Sequence, residues 1–309
     1  MSTVDPTDKW PKLVYSEWAA TKKTLQLYTQ MAGKVRLALQ PPKPEWLGSC
    51  LYPTARGLTS GAMPWGVIAA ELNFDFYDHT LSIELSDGRA RRISLLPARC
   101  VADLYTELMA NINELGINID IWTKPQEVSD LTPLDENHHD CIYEPEHAQL
   151  WHRIVTIVGN IFNAWSSGFF GRTSVQFWWG SFDLSVLLFN GKHAEPPLDR
   201  GYIMRYDLDA EFLTAGFWPG DDDSPDPIFF PYINPQPPGC ALVPIKPDSA
   251  LWVEQMEEWV LPYEDVRTAE DPRRALTNFL DCIYGVAGSQ GGWDLESFKF
   301  EAPAPVERG

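Results

Sequence analysis

From Val67 the hydrophobic pattern takes on a strict period of two, and no other stretch limits the possible folds as tightly. Leu72, Phe74 and Phe76 alternate with Glu71, Asn73 and Asp75, the signature of a strand buried on one face. Tyr77-Asp78-His79-Thr80 then turns the chain into Leu81, Ile83 and Leu85, and Asp87-Gly88 signals a hairpin before Arg91-Arg92-Ile93. Three consecutive antiparallel strands rule out an all-helical bundle and a purely parallel sheet.

Helical periodicity flanks this meander. Trp18, Leu25, Tyr28, Met31 and Val35 recur at near-helical spacing between Ser16, read as the cap, and Leu39, and Pro41-Pro42 stops the helix there. A second helix is predicted near Cys100 to Leu115, ending at Gly116, followed by a short strand around Ile117 to Trp122. Lys124 to Glu144 is polar, rich in turn residues and poor in apolar ones, and reads as a linker or surface excursion.

Beyond it the order repeats. Pro145 opens a helix to about Ser167, strand signals follow at Val175 to Phe189, Ala210 to Trp218 and Ile228 to Ile233, and a last helix begins after Asp271-Pro272. The expected fold is therefore α+β, with two packed antiparallel-sheet and helix subdomains, 1–123 and 145–309, joined through 124–144. The similar order of the halves suggests a distant internal duplication.

Composition narrows the partners. With 24 Lys and Arg against 43 Asp and Glu, the net charge of −19 repels phosphate backbones and anionic lipid heads, so neither nucleic acid nor membrane is an expected partner. The N-terminus lacks an apolar signal core, which points to a cytoplasmic location. The five cysteines, Cys50, Cys100, Cys141, Cys240 and Cys282, are odd in number and far apart, and read as reduced thiols.

The aromatic segment Phe177-Trp178-Trp179-Gly180-Ser181-Phe182-Asp183 carries the strongest hint of function. Read as one continuous strand, it sets Trp179, Ser181, Asp183 and Ser185 on one face and Gln176, Trp178 and Phe182 on the other. Large apolar groups on both faces imply burial, which leaves Asp183 in need of a cation or several donors. The structural alternative is that Asp183 neutralises an Arg or caps a turn, with Gly180 forming a bulge.

Thr54-Ala55-Arg56-Gly57-Leu58-Thr59-Ser60 has the chemistry of an anion clamp, and Lys34 shares that ambiguity between ligand cation and structural cation. Asp75, Asp78 and His79 cluster at a hairpin, at a spacing compatible with acid/base work or a turn. His147 and His152 do not share a helix face as paired metal ligands would, and the acidic run Asp221 to Asp226 lacks the spacing of a calcium loop, so no metal ligand is assigned. No phosphate loop, nucleophile elbow or dinucleotide fingerprint is present.

Several strings taken together are similar to a known family. Leu27 to Leu39, Thr54 to Ser60, Phe74 to His79, Trp179 to Leu184, Ala215-Gly216-Phe217-Trp218-Pro219-Gly220 and Leu261-Pro262-Tyr263-Glu264 resemble the bacterial family catalogued as domain of unknown function 5996. The resemblance brings no activity and no cofactor with it. It implies histidines where this chain has Gln176 and Ala210, and a metal centre built on them is not expected here.

The leading expectation is a binding or catalytic site for a small, partly apolar organic anion. Arg56 and Lys34 would hold the charge, Trp178, Trp179 and Trp218 would form walls with Ser181, and Asp183 and Glu211 would orient the ligand or move a proton. One alternative is a metal-assisted or acid/base enzyme using Asp75, His79, Asp183 and Glu211. The other is a noncatalytic protein-interaction module presenting its tryptophans.

Overall fold

The computed structural model describes residues 10–197 and 201–301. Its first element, α1 (Tyr15–Leu39), starts after Val14, which makes no side-chain cap, so the capping role expected of Ser16 is not used. Leu, Gln, Lys, Met and Ala favour the helix, and Gln40 leaves it in extended geometry, as a residue before Pro41 must. From Thr24 to Arg36 every residue of α1 is buried, which an ordinary amphipathic helix does not allow.

Several polar side chains of α1 are satisfied by groups of distant loops. Gln30 donates to the carbonyl of Gln126 at 2.7 Å and accepts from its N–H at 2.9 Å. Gln26 donates to Gly180 O, and Arg36 donates to Ser60 O and to the Tyr52 hydroxyl. Each bond removes the penalty of burying an unpaired polar group, about 1–3 kcal/mol. The polar face of α1 thus fixes loops that carry no regular structure of their own.

The first sheet comprises β1 (Tyr52–Pro53), β2 (Gly57–Thr59), β3 (Met63–Trp65), β4 (Ile68–Asp75), β5 (Thr80–Leu85) and β6 (Ala90–Ser94). Its order is β1-β2-β4-β5-β6, with β3 on the other part of β4, and all its pairings are antiparallel. The β4–β5–β6 meander follows the alternation in the sequence, and Gly88 supplies the positive φ of 92° that its turn requires. Helix α2 (Val101–Glu114) comes next, but residues 117–122 run as irregular chain where a strand was expected.

Residues 124–144 contain neither helix nor strand, yet Pro125, Leu134, Asn137 and Tyr143 are buried. Cys141 forms a disulfide with Cys100, so only Cys50, Cys240 and Cys282 are free thiols. This corrects the expectation of five reduced cysteines: the fold brings together two residues 41 apart in sequence, a proximity that spacing does not encode.

Helix α3 (Pro145–Ser166) leads into a second sheet of β7 (Gln176–Trp178), β8 (Asp183–His193), β9 (Ala210–Trp218), β10 (Ile228–Asn234), β11 (Leu251–Val253) and β12 (Glu258–Pro262). Its order is β11-β12-β10-β9-β8-β7, also antiparallel. Short α4 (Tyr202–Asp207) precedes β9, and α5 (Tyr263–Thr268) and α6 (Pro272–Ser289) close the chain, α6 capped by Asp271 accepting from Arg274 N–H at 2.9 Å. The fold is α+β.

The two sheets meet through backbone. Leu51 and Phe177 exchange N–H···O bonds of 2.9 and 2.8 Å, which joins the start of the first sheet to the β7 strand of the second. Against this bridge, Trp151 of α3 stacks on Phe182 at 4.8 Å and Phe182 meets Phe177 edge-on at 5.0 Å. The buried apolar core is continuous from Trp18 of α1 through this cluster to Phe229 and Phe279. Among the described residues, no helix is long and apolar enough to cross a membrane.

Candidate functional site

The aromatic segment is a hairpin, and this reverses which residues are neighbours. Trp178 pairs with Asp183 and Gln176 with Ser185 across a turn of Trp179, Gly180, Ser181 and Phe182, in which Phe182 N–H donates to Trp178 O at 2.8 Å. Phe182 takes a φ of 66° to close it. Directly paired residues share a face, so Gln176 and Trp178 lie beside Asp183 and Ser185 rather than opposite them. The Trp178 indole donates to Ser185 Oγ at 2.8 Å, as this arrangement requires.

Trp179, released from the strand, swings toward α1. Its indole donates to Ser49 O at 2.9 Å and lies flat on Gly33, where an added Cβ would come within 2.1 Å of the ring. The same indole walls a cavity of about 190 Å³ with Lys34, Leu37, Ala38, Asp120, Ile121, Trp122 and Gln126. Lys34 and Trp179, both candidates from the sequence, therefore do share a site.

Inside this cavity the Lys34 ammonium donates to the carbonyls of Trp122, at 2.8 Å, and Lys124, and lies 5.3 Å from the Trp122 ring centre. An ammonium has three N–H groups, so one remains for another acceptor. Burial pushes the Lys34 pKa down to about 8, because desolvation disfavours its charge and no carboxylate offsets it. Trp122 leaves 63% of its surface open, forming the outer wall.

A second polar assembly occupies one face of the second sheet. Leu187 pairs with Thr214 and Thr214 with Tyr232, which puts Gln176, Asp183, Ser185, Thr214 and Tyr232 on the same side. Asp183 accepts from Ser181 Oγ, but burial and the acids Glu127 and Asp207 push its pKa up to about 7. Asp207, on α4, rises to about 6 through burial and the nearby Glu127 and Asp209. Much of Glu127 faces solvent, yet its carboxyl end turns in against Gly180 and is raised by desolvation.

Glu45 covers this face from a 3-10 turn, Pro44–Trp46, that packs on α4 through contacts of Trp46 with Tyr202 and Tyr206, both at 5.7 Å. The Glu45 carboxyl is fully buried, and burial together with Asp207 and Asp209 lifts its pKa to about 9. Nothing in the sequence around Pro44-Glu45-Trp46 marks this residue. Asp207 and Asp209 were equally silent, since each is an ordinary acid in a short polar run.

The other predicted residues stand apart from both assemblies. Arg56 is exposed and pairs with Asp75 and with Asp78 at 2.9 Å, at one end of the first sheet, and its guanidinium also lies over Tyr77. Asp75 further accepts from the N–H groups of Tyr77 and Asp78, the turn role open to it from the sequence. His79 bonds Tyr143 Oη at 3.0 Å and approaches Gln149.

Glu211 accepts from Asn190, and alternation along β9 turns it to the opposite face from Thr214, away from Asp183. The grouping of Asp75 and His79 with Asp183 and Glu211 is therefore not assembled by the fold. Trp218 donates to Ser181 O at 3.1 Å, and so stays with the Asp183 assembly. Among the described residues, the one trio of His, Cys, Asp or Glu able to place three ligand atoms within 4.8 Å is exposed Asp130 and His139 with half-buried Asp140, His139 Nε2 lying 2.6 Å from Asp130.

No curated protein and no solved structure matches this chain. The familiar strings on α1, in the β7–β8 turn and at the end of β9 contribute to the two assemblies, whereas the one at the Arg56 turn lies apart from both. Residues 10–300 match the family of unknown function DUF5996, and the chain belongs to that family.

Proposed function

We propose that this protein binds a small, partly apolar organic anion in the cavity between Trp122 and Trp179, with Lys34 holding the anionic group. The observation that carries this reading is the buried Lys34 ammonium, held by two carbonyls with one N–H left over, inside an indole-walled space. A neutral carbonyl shell orients the cation without cancelling its charge, so an incoming carboxylate gains a charge-assisted bond in low dielectric. Arg56, already neutralised by Asp75 and Asp78, has no part in it. Asp120 at the rim disfavours a second negative charge. The volume, below the roughly 300–1,000 Å³ of drug-sized sites, suits a single-ring acid.

Benzoate is a direct probe. Calorimetric titration near pH 7, with tryptophan emission in parallel, should show binding that weakens about tenfold or more in Lys34→Met, the loss of one charged hydrogen bond. Arg56→Ala should bind as the wild type does. Absence of binding at millimolar benzoate, or equal affinity in Lys34→Met, overturns the reading.

A further inference from the structure

The polar face of the second sheet holds groups for which the fold supplies no partners. Gln176 is completely buried, and neither its Oε1 nor its Nε2 meets a hydrogen-bond partner among the described residues. Both Glu45 carboxyl oxygens and Thr214 Oγ1 also lack a well-formed hydrogen bond, although Asp209 stands beside Glu45 and Tyr232 beside Thr214. A buried amide without partners costs several kcal/mol on apolar transfer scales, so Gln176 on this acid-rich face marks a place where a ligand can supply the missing bonds.

We propose that this face is a binding site for an organic ammonium ion with an apolar body, distinct from the Lys34 cavity. Gln176 Oε1 and the carboxyls of Asp183 and Asp207 accept its three N–H bonds, Glu45 adds negative charge beside them, and Trp178 and Trp218 contact the body. Three observations select this ligand class. The first is charge: the groups that shift Glu45, Asp183 and Asp207 are acids, and no Lys or Arg among the described residues stands with them.

The second is the donor count: an alkylammonium brings three N–H donors and no acceptor to a face whose polar groups, once the acids ionise, are chiefly acceptors. The third is the wall. Trp178 and Trp218 are only half buried and their N–H groups are engaged by Ser185 and Ser181, which leaves ring surface for an apolar body and a cation.

Glu45 adds a fourth sign. It is held at a φ of 53°, a conformation that costs a non-glycine residue about 1–3 kcal/mol, and Trp46 beside it has a φ of 54°. The chain bears this strain to place a carboxyl among the acids Asp207 and Asp209. In the empty site burial keeps Glu45 protonated at neutral pH and Asp183 partly so; binding of R–NH₃⁺ ionises them and releases protons to solvent, so affinity rises with pH. The titratable groups facing the site are Glu45 from the 3-10 turn, Asp183 of β8, Asp207 and Asp209 at α4, Tyr232 of β10, Glu258 of β12 and Glu127 of the 124–144 segment.

Phenethylammonium is the probe, titrated calorimetrically into the full chain at about pH 8 and about pH 5.5, with binding expected to be at least tenfold tighter at the higher pH. Glu45→Gln and Asp183→Asn should each weaken it about tenfold at pH 8, a loss of roughly 1.4 kcal/mol. Lys34→Met should leave it unchanged, which separates this site from the anion cavity. The proposal is overturned if millimolar phenethylammonium gives no binding at pH 8, if both carboxyl variants bind it as tightly as the wild type, or if stoichiometric Mn²⁺ or Zn²⁺ displaces it. Should a variant fail to fold, a flat wild-type pH profile overturns it alone.

Discussion

Replacing Glu45 with Gln should make the empty protein more stable, not less, and only above the acid range. Burial pushes the Glu45 carboxyl up to about 9 in the fold, against an ordinary value of 4.5. Its folded value is raised, so the unfolded chain ionises first. The fold is therefore unpenalised below pH 4.5 and loses stability progressively as the pH rises from there to about 9. At pH 7 the difference is about 2.5 pH units, which converts at 1.36 kcal/mol per unit to a penalty of about 3 kcal/mol.

Gln keeps the shape and cannot ionise, so Glu45→Gln should recover most of that amount at pH 7 and nothing at pH 4.5. For a chain of 309 residues, an unfolding entropy of about 2 cal/mol/K per residue turns 3 kcal/mol into a Tm rise of about 5 °C. Urea melts followed by circular dichroism at the two pH values would measure it. A loss of stability at both, or an equal gain at both, would refute the claim that a protonated carboxyl is stored at this position. Gain of stability with loss of a ligand is the usual trade at binding sites.

Gly33→Ala places a methyl carbon where Trp179 lies 2.1 Å away, so the indole must leave Ser49 O. An overpacking cost of about 1–3 kcal/mol in urea melts and altered tryptophan emission are expected, and an unchanged melt would remove Trp179 from that wall. For the Cys100–Cys141 disulfide, thiol counting in denaturant should find three reactive thiols before reduction and five after. Closing a loop with a separation of 41 residues is worth about 4 kcal/mol on the chain-entropy account, so Cys100→Ser should lower the urea midpoint, and five thiols before reduction would contradict the bridge.

The sequence by itself determined the elements whose signal is local. The β4–β6 meander, the helices opened by Pro145 and Pro272, and the strands beginning at Ala210 and Ile228 follow from side-chain period and from the stereochemistry of Pro and Gly. Lys34 and Trp179 were legible as candidates because a cation and an indole advertise their chemistry wherever they stand. The strand expected at 117–122 failed because its alternation reflects burial against the α1 region rather than strand pairing.

Tertiary structure alone decided which polar residues lose their water, since burial is set by what packs on top and not by neighbours in sequence. A four-residue turn moved Gln176 and Trp178 to the side of Asp183, because slipping a strand by one residue exchanges its faces. Arg56 found Asp75 and Asp78, and so ceased to be a free cation. Glu45, unremarkable in the sequence, became a buried acid through a turn pressed onto α4, and Cys100 met Cys141 across the 124–144 segment. Long-range contacts of this kind depend on the whole packed chain, and the local pattern of residues carries no record of them.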